Sequence, residues 1–485
     1  MPKTKKIIRG AVLMTIGQVL MYGLSFIRNL VLARMLAKAD FALASVFSMA
    51  MTLLEVSGRM SFGMQVIQSK FGDTPLFQAT AHSMQFIGGL CSALLIVGLS
   101  VPMARMFGTP DIWWAFALLS LMPLLQGLTH MDICRRQREL DYRPQVIIDI
   151  TTQSLMTIAV WPLGHWLGDY RVILFLLVGK STIAIAMTYA FARRPYRWAW
   201  HRDYVWDMLK FGWPLLLTGL LIFGSQEANQ MIIGAVFSLP VLANYALAFS
   251  LVSIPWSIFG QVMSSIMLPL MAQAQSEPER FRRQYRFCAQ FAAISGVVLL
   301  MPLIVSGEQI VRLLYGSKYS DTGAFMAILG ATASLRFMRY PPAVAAMARG
   351  DTLNQLYSNL ARITSLPLAL GVWHFGGSAV LVAVCAMAGE IMAIVSSIVR
   401  LWKQQQVPPS ECYGASIYMS IMLSLGVMVA LIGGPNFSIW TAALVAVIAV
   451  AVAIGTAWVM FPEITQYIIT ITRRHKFNSA LAVPL

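Results

Sequence analysis

Charged and polar side chains interrupt long apolar segments of this sequence, and they are the residues whose types and spacing could do chemistry. Glu55 and Arg59 lie four residues apart, so they would share one face of a helix. Other polar side chains recur at helical spacing within several apolar segments. The candidate ligand-binding residues are Gln18, Ser25, Arg28, Arg59, Lys180, Asn229, Arg336, Arg339, Asn354 and Arg362. The acidic residues that could take up an ion are Glu55, Asp149, Glu227 and Glu390.

Positive charge dominates this polar set. If the apolar segments cross a membrane, a charge at that depth costs several kcal/mol, so such charges usually face a cavity or a partner. We therefore expect the polar stripes to line a hydrophilic space inside the protein. Because guanidinium groups bind phosphate through two parallel hydrogen bonds, this basic space predicts an anionic ligand, and a diphosphate fits well.

Arg59 and Arg362, one in each half of the chain, are the strongest candidates for holding a diphosphate or an acidic sugar. Arg59 lies in the middle of its apolar segment, and no acidic residue lies within a helical turn of Arg362. Glu55 could release Arg59 when a phosphate binds. The freed carboxylate of Glu55 could then take up a proton or a sodium ion.

Structural roles are the alternatives. The Glu55–Arg59 pair could simply neutralise itself, and Lys180 could extend its amine toward the membrane surface. Three arginines could instead contact lipid headgroups: Arg28, Arg336 and Arg339. Two carboxylates could instead hold neighbouring helices together: Asp149 and Glu390.

The composition indicates which elements must position these residues. Of 485 residues, 58% are hydrophobic and 12% charged, and the mean hydropathy is +0.68. An average soluble domain is about 45–50% apolar and about 25% charged, so the excess of apolar residues must face lipid. The composition predicts an all-α, polytopic membrane protein and excludes a soluble enzyme, a disordered chain and a disulfide scaffold. The isolated cysteines and scattered histidines lack metal-site spacing, so we expect no metal and no cofactor.

Fourteen apolar segments approach the roughly 20 residues that a membrane helix needs. They are residues 10–36, 41–68, 80–105, 112–133, 145–167, 171–192, 208–236, 240–272, 286–306, 322–347, 353–374, 377–401, 414–433 and 437–460. Most of the 36 Lys and Arg residues fall in alternate connecting segments and in both tails. Because basic loops stay in the cytoplasm, both termini should be cytoplasmic. This placement explains the net charge of +16 without a nucleic-acid partner.

The two halves of the sequence resemble each other at an offset of about 200 residues. Ala42 falls on Ala243, and the polar positions of the first and seventh segments then coincide. Farther along, the offset drifts so that Asp141 falls on Asp351. The repeat predicts two six-helix lobes of the same orientation, followed by two extra helices and a cytoplasmic tail. The predicted boundaries are residues 1–200, 201–405 and 406–485. Chance similarity between apolar helices is the alternative.

Longer motifs resemble a known family. In the first half they are ARMLAKADFALASVFSM (33–49), LLEVSGRMSFGMQVIQSK (53–70) and RRQRELDYRP (135–144). In the second half they are LKFGWPLLLTGLL (209–221), IIGAVFSLPVLANYALA (232–248) and MLPLMAQAQSEPERFRRQY (267–285). In order and spacing these motifs are similar to the oligosaccharide flippases of bacterial polysaccharide synthesis, within the multidrug/oligosaccharidyl-lipid/polysaccharide exporter superfamily. The resemblance covers about residues 5–410. Ala42 replaces a glycine that is common after the Asp-Phe pair in that family.

The resemblance implies two six-helix lobes that form a V, with two extra helices. It implies that the chain is a transporter, not an enzyme, which moves an undecaprenyl-diphosphate-linked oligosaccharide across the bacterial inner membrane by alternating access. The expected partners are this substrate and membrane lipids, with a polysaccharide polymerase and a chain-length regulator as further candidates. No cofactor is expected beyond a possible coupling ion, H⁺ or Na⁺.

Three other functions stay open at this point. A peptidoglycan-precursor (lipid II) flippase of the same superfamily is the nearest alternative. A cation-coupled drug antiporter should have an acidic cavity, whereas the charge balance here is basic. An integral membrane enzyme should carry a larger external loop or a nucleophile–base constellation, and neither is evident in the sequence.

Overall fold

The computed structural model describes residues 3–58, 62–461 and 464, and these residues form α-helices, short 3₁₀ turns, a π-helical turn at Met263–Met267 and connecting loops, with no strand among them. The helices are α1 (Lys3–Met35), α2 (Lys38–Gly58), α3 (Phe62–Gln68), α4 (Pro75–Met106), α5 (Trp113–Leu118), α6 (Leu121–Gly127), α7 (Asp132–Arg138), α8 (Arg143–Leu167), α9 (Arg171–Phe191), α10 (Arg202–Val236), α11 (Leu239–Val262), α12 (Leu268–Gln273), α13 (Pro278–Val305), α14 (Gly307–Tyr315), α15 (Gly323–Ala348), α16 (Leu353–Ile363), α17 (Ser365–His374), α18 (Ala379–Gln405), α19 (Tyr413–Ile432) and α20 (Ile439–Met460).

Proline and hydroxyl side chains mark where several long helices begin. At the start of α4, the hydroxyl of Thr74 accepts a hydrogen bond from the backbone N–H of Phe77 at 3.4 Å, and Pro75 is the first helical residue. Ser378 and Ser438 cap α18 and α20 in the same way. These side chains satisfy backbone N–H groups that have no partner within the helix.

The protein is a multi-pass membrane protein. Among the described residues, ten helices are long and apolar enough to cross a membrane, and the bent pair Pro110–Gly127 and Asp132–Arg138 would make eleven. The other three predicted segments correspond to α2 with α3, to α15, and to α16 with α17. The total of fourteen spans stays a prediction.

The repeat predicted from the sequence recurs in the helix boundaries. α1 ends at Met35 and α2 begins at Lys38, whereas α10 ends at Val236 and α11 begins at Leu239. These two breaks are related by the same offset that aligns Ala42 with Ala243. The prediction of an all-α membrane fold with pseudo-symmetric halves and two extra helices is confirmed.

The chain forms two compact units, Met1–Ala243 and Asn244–Leu485. In the first unit α8 packs between α1 and α9, and α4 packs against α6. A buried apolar cluster that includes Phe62, Phe77 and Met208 lies where α3, α4 and α10 meet. The boundaries predicted at residues 200 and 405 stay predictions.

In the second unit α15 is the central helix. It packs against α13, α18 and α19, and most of its residues are buried. The two extra helices, α19 and α20, pack against α13. The amide of Gln309 holds the loop between them by donating hydrogen bonds to the carbonyls of Gly434 at 2.6 Å and Phe437 at 3.1 Å. The extra helices are therefore part of the second unit.

Candidate functional site

Three arginines and one glutamate meet inside the second unit. Arg336 and Arg339 lie one turn apart on α15, Arg362 lies on α16, and Glu390 lies on α18. We call Arg336, Arg339 and Arg362 the three-arginine cluster. All four residues were predicted from the sequence, and the packing of α15, α16 and α18 brings them together.

Glu390 is the shared partner of two of these arginines. The Nε atoms of Arg336 and Arg362 both lie 2.7 Å from the same carboxylate oxygen, Oε1. Glu390 is 0% exposed, Arg362 3% and Arg336 6%. The guanidinium of Arg336 also lies over the ring of Trp256, 5.0 Å from its centroid, where a cation–π interaction adds to the attraction.

Arg339 is the most accessible member of the three-arginine cluster. It is half-buried, and its Nη1 donates a hydrogen bond to the amide oxygen of Asn359 at 3.2 Å. Among the described residues, no carboxylate lies within ion-pair distance of Arg339. Two guanidinium groups therefore pair with one carboxylate, and a third acts on it electrostatically, so the described residues of the site carry two positive charges in excess. Such a site favours an anion over a cation.

Hydrogen bonds between α16 and α18 fix the position of Arg362. The amide nitrogen of Asn354 donates to the carbonyl of Ser397 at 2.9 Å, and its amide oxygen accepts a short hydrogen bond from the Ser397 hydroxyl. The Ser358 hydroxyl donates to the carbonyl of Ala393 at 3.0 Å. The predicted ligand-binding residue Asn354 thus lies at a helix contact in this conformation, with both ends of its amide engaged.

The first unit contains a second, smaller set of predicted residues. Arg28 is half-buried on α1 and has neither an ion pair nor a hydrogen bond within the described part of the chain. One turn earlier, the Ser25 hydroxyl accepts a hydrogen bond from the amide of Gln153 on α8 at 3.1 Å. The contact between α1 and α8 therefore positions Ser25, while the charge of Arg28 is not neutralised by any described side chain.

Asp149 and Lys180 interact electrostatically between α8 and α9. The carboxylate of Asp149 also accepts a hydrogen bond from the amide of Gln145 at 2.9 Å. Asp149 falls on Asn359 in the repeat, and Asn359 is the partner of Arg339. The two halves thus place a polar acceptor at equivalent positions, each near a cation.

The remaining predicted residues are more dispersed. Gln18 is exposed on α1, and Glu227 is half-buried on α10. Asn229 is buried on α10, and its amide oxygen has no hydrogen-bond partner among the described residues. Arg59 and the side chain of Glu55 lie outside the described residues.

Sequence reasoning offered Glu390 as a carboxylate that could hold neighbouring helices together, but it did not identify the two arginines that Glu390 pairs with. Its partners lie 28 and 54 residues away in the chain and on two other helices, so no spacing rule could connect them. Asn359 was missed as the partner of Arg339, although its place in the repeat beside Asp149 was a usable signal. Among the described residues, no group of His, Cys, Asp and Glu side chains could hold a metal ion.

Two curated bacterial proteins align with most of this chain. The lipopolysaccharide biosynthesis protein WzxC of Escherichia coli K12 is 22% identical over 353 residues, which cover 71% of this chain and 70% of WzxC. The succinoglycan biosynthesis transport protein ExoT of Rhizobium meliloti is 19% identical over 312 residues, which cover 64% of this chain and 62% of ExoT.

A solved structure has the same fold. The lipid II flippase MurJ, in an inward closed conformation, superposes with a TM-score of 0.70 over 95% of this chain and 100% of that chain, at 13% sequence identity. This likeness concerns the fold alone. A family model described as "Polysaccharide biosynthesis protein" matches residues 31–324. With more than half of its length matched, and with long apolar helices that surround a buried cluster of arginines, this chain belongs to the polysaccharide biosynthesis protein family.

Proposed function

We propose that this protein flips a lipid-linked oligosaccharide from the cytoplasmic to the periplasmic leaflet during the synthesis of a surface polysaccharide. The main support is the excess positive charge of the three-arginine cluster in a chain of this family. An undecaprenyl diphosphate linkage would carry adjacent phosphate groups, which guanidinium groups bind through paired hydrogen bonds. The protein acts as a transporter, and no chemical bond of the substrate changes.

Arg339 and Arg28 are the residues that a phosphate would reach first in their respective units. Both are half-buried, whereas Arg336 and Arg362 are almost fully buried. Arg59 stays a candidate from the sequence. Arg362 also stays a candidate, but a ligand could reach it only after a rearrangement around Glu390.

Two rival functions receive less support. A lipid II flippase shares the fold, but the aligned relatives are named for lipopolysaccharide and succinoglycan biosynthesis. A drug antiporter that exports cations would have to bring a positive charge toward a cluster that already has excess positive charge, and like charges repel at short range.

Alternating access would carry the substrate between leaflets, with residues 1–200 and 201–405 as the two moving lobes and residues 406–485 as the extra helices and tail. The membrane would be the bacterial inner membrane, with both termini in the cytoplasm. A polysaccharide polymerase and a chain-length regulator would act on the flipped product as neighbouring partners. The energy would come from a gradient of H⁺ or Na⁺.

Among the candidates for ion coupling, Asp149 is the best supported. Among the described residues, Glu390 is held by two arginines, whereas Asp149 interacts with one lysine and one amide. A carboxylate with fewer charged partners loses less when it takes up a proton. Glu227 and Glu55 stay as further candidates.

The test is complementation of a strain that lacks this protein. Arg339→Ala should reduce surface polysaccharide and cause the lipid-linked oligosaccharide to accumulate, and Arg339→Lys should be less impaired because it keeps the charge but loses the paired hydrogen bonds. Arg280→Ala, at an exposed arginine of α13, is the matched control and should behave as wild type. Membrane expression must be equal for all variants.

Mass spectrometry of the accumulated lipids separates the rivals. Accumulation of the oligosaccharide precursor supports the proposal, whereas accumulation of the peptidoglycan precursor alone would favour the lipid II alternative. Normal polysaccharide from Arg339→Ala would remove this arginine from the transport mechanism.

A further inference from the structure

The two oxygens of the Glu390 carboxylate differ in their hydrogen-bond partners. Its Oε1 atom lies 2.7 Å from the Nε atoms of both Arg336 and Arg362, whereas its Oε2 atom is buried and has no hydrogen-bond partner among the described residues. A carboxylate can accept hydrogen bonds at both oxygens, and a buried one normally does so. Glu390 therefore neutralises part of the three-arginine cluster without satisfying its own hydrogen-bonding capacity.

A phosphate group matches the same guanidinium groups better than this carboxylate does. A diphosphate carries more negative charge and more acceptor oxygens than one carboxylate, and the cluster has two positive charges that Glu390 does not balance. Arginine forks recognise phosphate and carboxylate through the same paired geometry. The two anions would therefore compete for the same donors.

We propose that Glu390 is a displaceable internal counter-ion, and that a phosphate-bearing ligand binds the three-arginine cluster in competition with it. The inference rests on the proposed function in that the natural ligand is the diphosphate of a lipid-linked oligosaccharide. It adds a specific event to that function, namely exchange of a resident carboxylate for the substrate's phosphate.

The arrangement of the cluster offers a stepwise route for this exchange. Arg339, the half-buried member, makes the first contact, and Arg336 follows one helical turn along α15. The ring of Trp256 lies under the guanidinium of Arg336 and continues to hold it after the carboxylate departs. Asn359 holds Arg339 toward α16, which also carries Arg362.

Exchange at this position would give the ligand a different affinity for two arrangements of the helices. When Glu390 is paired with Arg336 and Arg362, it connects α18 to both α15 and α16. When phosphate occupies the two arginines, the ligand connects α15 to α16 and α18 is released from both. A ligand shifts a conformational equilibrium only by the difference in its affinity for the two states, and competition with Glu390 supplies such a difference.

The experiment measures phosphate binding to the full-length protein in nanodiscs of phosphatidylcholine, a zwitterionic lipid. The probes are inorganic pyrophosphate, orthophosphate and a polyprenyl diphosphate placed in the bilayer, and the readout is the dissociation constant from calorimetry or ligand-dependent melting. Glu390→Gln removes the competing charge while keeping the size of the side chain. Glu411→Gln is the control, because Glu411 pairs with Arg286, 2.7 Å away and outside the three-arginine cluster.

Competition predicts that Glu390→Gln binds pyrophosphate at least about fivefold more tightly than wild type, in the usual range of coupling between linked sites. Glu411→Gln should bind as wild type does. An equal gain for the polyprenyl diphosphate identifies the lipid-linked group as a ligand of the same site, and a gain confined to the free anions identifies an inorganic-anion site. Unchanged or weaker pyrophosphate binding in a folded Glu390→Gln protein overturns the inference.

Glu390→Asp serves if the glutamine variant does not fold. Its shorter side chain keeps the charge but withdraws it from the two Nε atoms, so pyrophosphate affinity should rise by a smaller factor, and an unchanged affinity overturns the inference. If the wild-type protein restores polysaccharide in the complementation assay but Glu390→Gln binds pyrophosphate no more tightly than wild type does, this inference fails and the proposed function stands. Tighter binding in Glu390→Gln combined with wild-type protein that restores no polysaccharide would instead sink the proposed function.

Discussion

Leu140 and Gly350 adopt the same left-handed backbone conformation at equivalent positions in the two halves, with φ angles of 63° and 80°. In each half the next residue is an aspartate, whose backbone N–H donates to the carbonyl oxygen five residues earlier at 2.9 Å. The link between α7 and α8 is therefore built in the same way as the link between α15 and α16. This shared turn is local structural support for the internal repeat.

Replacement by alanine should affect stability differently at Gly350, which lies in this turn, and at Gly98, which lies inside a helix. Gly350→Ala should lower the free energy of unfolding by about 1 kcal/mol, because an alanine in a left-handed conformation is strained. A Cβ at Gly350 would meet no atom within 4 Å, so the cost comes from the backbone alone. Gly98→Ala, inside α4 and equally open, should leave stability unchanged or raise it. Thermal unfolding of the purified protein measures both, and an equal effect at the two sites would contradict the prediction.

We expect the unneutralised charge of Arg28 to lower the stability of the folded protein and, at the same time, to be needed for transport. Because no described side chain neutralises it, Arg28→Gln should raise the melting temperature, by an amount that corresponds to about 1 kcal/mol or more. The same variant should lower polysaccharide production, since the site loses one of the cations that would bind the phosphate groups of the substrate. Arg34→Gln, at an exposed arginine near the end of the same helix, is the control. A variant that is both less stable and fully active would show that Arg28 is structural.

Replacing Arg362 by alanine should mainly lower the stability of the fold, whereas replacing Arg339 by alanine should mainly lower transport. Arg362→Ala removes a buried partner of Glu390 but leaves Arg336 paired with it, so its folding cost should lie near the lower end of the about 3–5 kcal/mol that breaking a buried ion pair typically costs. Within the described part of the chain, Arg339→Ala removes one hydrogen bond, to Asn359, so its folding cost should be about 1 kcal/mol. Melting curves and polysaccharide yields of both variants provide the comparison. The distinction fails if Arg339→Ala is destabilised as much as Arg362→Ala.

The link after α7 should make stability depend on pH. Burial alone would raise the pKa of Asp141, but the Arg136 guanidinium, which donates two hydrogen bonds at 3.1 and 2.7 Å, outweighs burial and holds the pKa below its usual value. The folded pKa therefore lies below the unfolded value of about 3.9. The pair stabilises the protein above about pH 4, and the contribution disappears as the pH falls through the folded pKa.

Asp141→Asn should accordingly cost about 0.5–1 kcal/mol at pH 7, a small value because the Asp141 side chain is 31% exposed. The difference between wild type and variant should shrink as the pH is lowered from 5 to 3. Asp111→Asn, at an exposed aspartate before α5, is the control. Melting temperatures over this pH series are the measurement, and a constant difference at all pH values would argue against the ion pair.

Asp149 should matter for coupling more than for folding. Asp149→Asn keeps the hydrogen bond with Gln145 but cannot take up a proton, so transport should no longer respond to a proton gradient. Proteoliposomes with an imposed gradient, loaded with a fluorescent polyprenyl diphosphate, measure this response. Glu277→Gln, at an exposed residue before α13, is the matched control. Gradient-driven transport by Asp149→Asn at the wild-type rate would exclude Asp149 as the coupling residue.

The sequence by itself determined the fold class, the repeat and the charge of the site. Apolar segments of membrane length leave the chain no stable state except helices in lipid, because every backbone N–H and carbonyl must be satisfied within the segment. The break after Met35 and its repeat after Val236 were visible because similar residues recur at a fixed offset. The excess of arginine over acidic residues could be counted without any structure.

Tertiary structure alone decided which of these charges meet. Glu390 pairs with Arg336 and Arg362, which lie on two other helices, and the rotation and depth of those helices follow from packing along their whole length. Helical spacing places Asn354 on the same face as Arg362, yet packing against α18 turns that amide into a contact with Ser397. Spacing rules act within one helix, whereas a pairing between helices depends on contacts that no single segment contains.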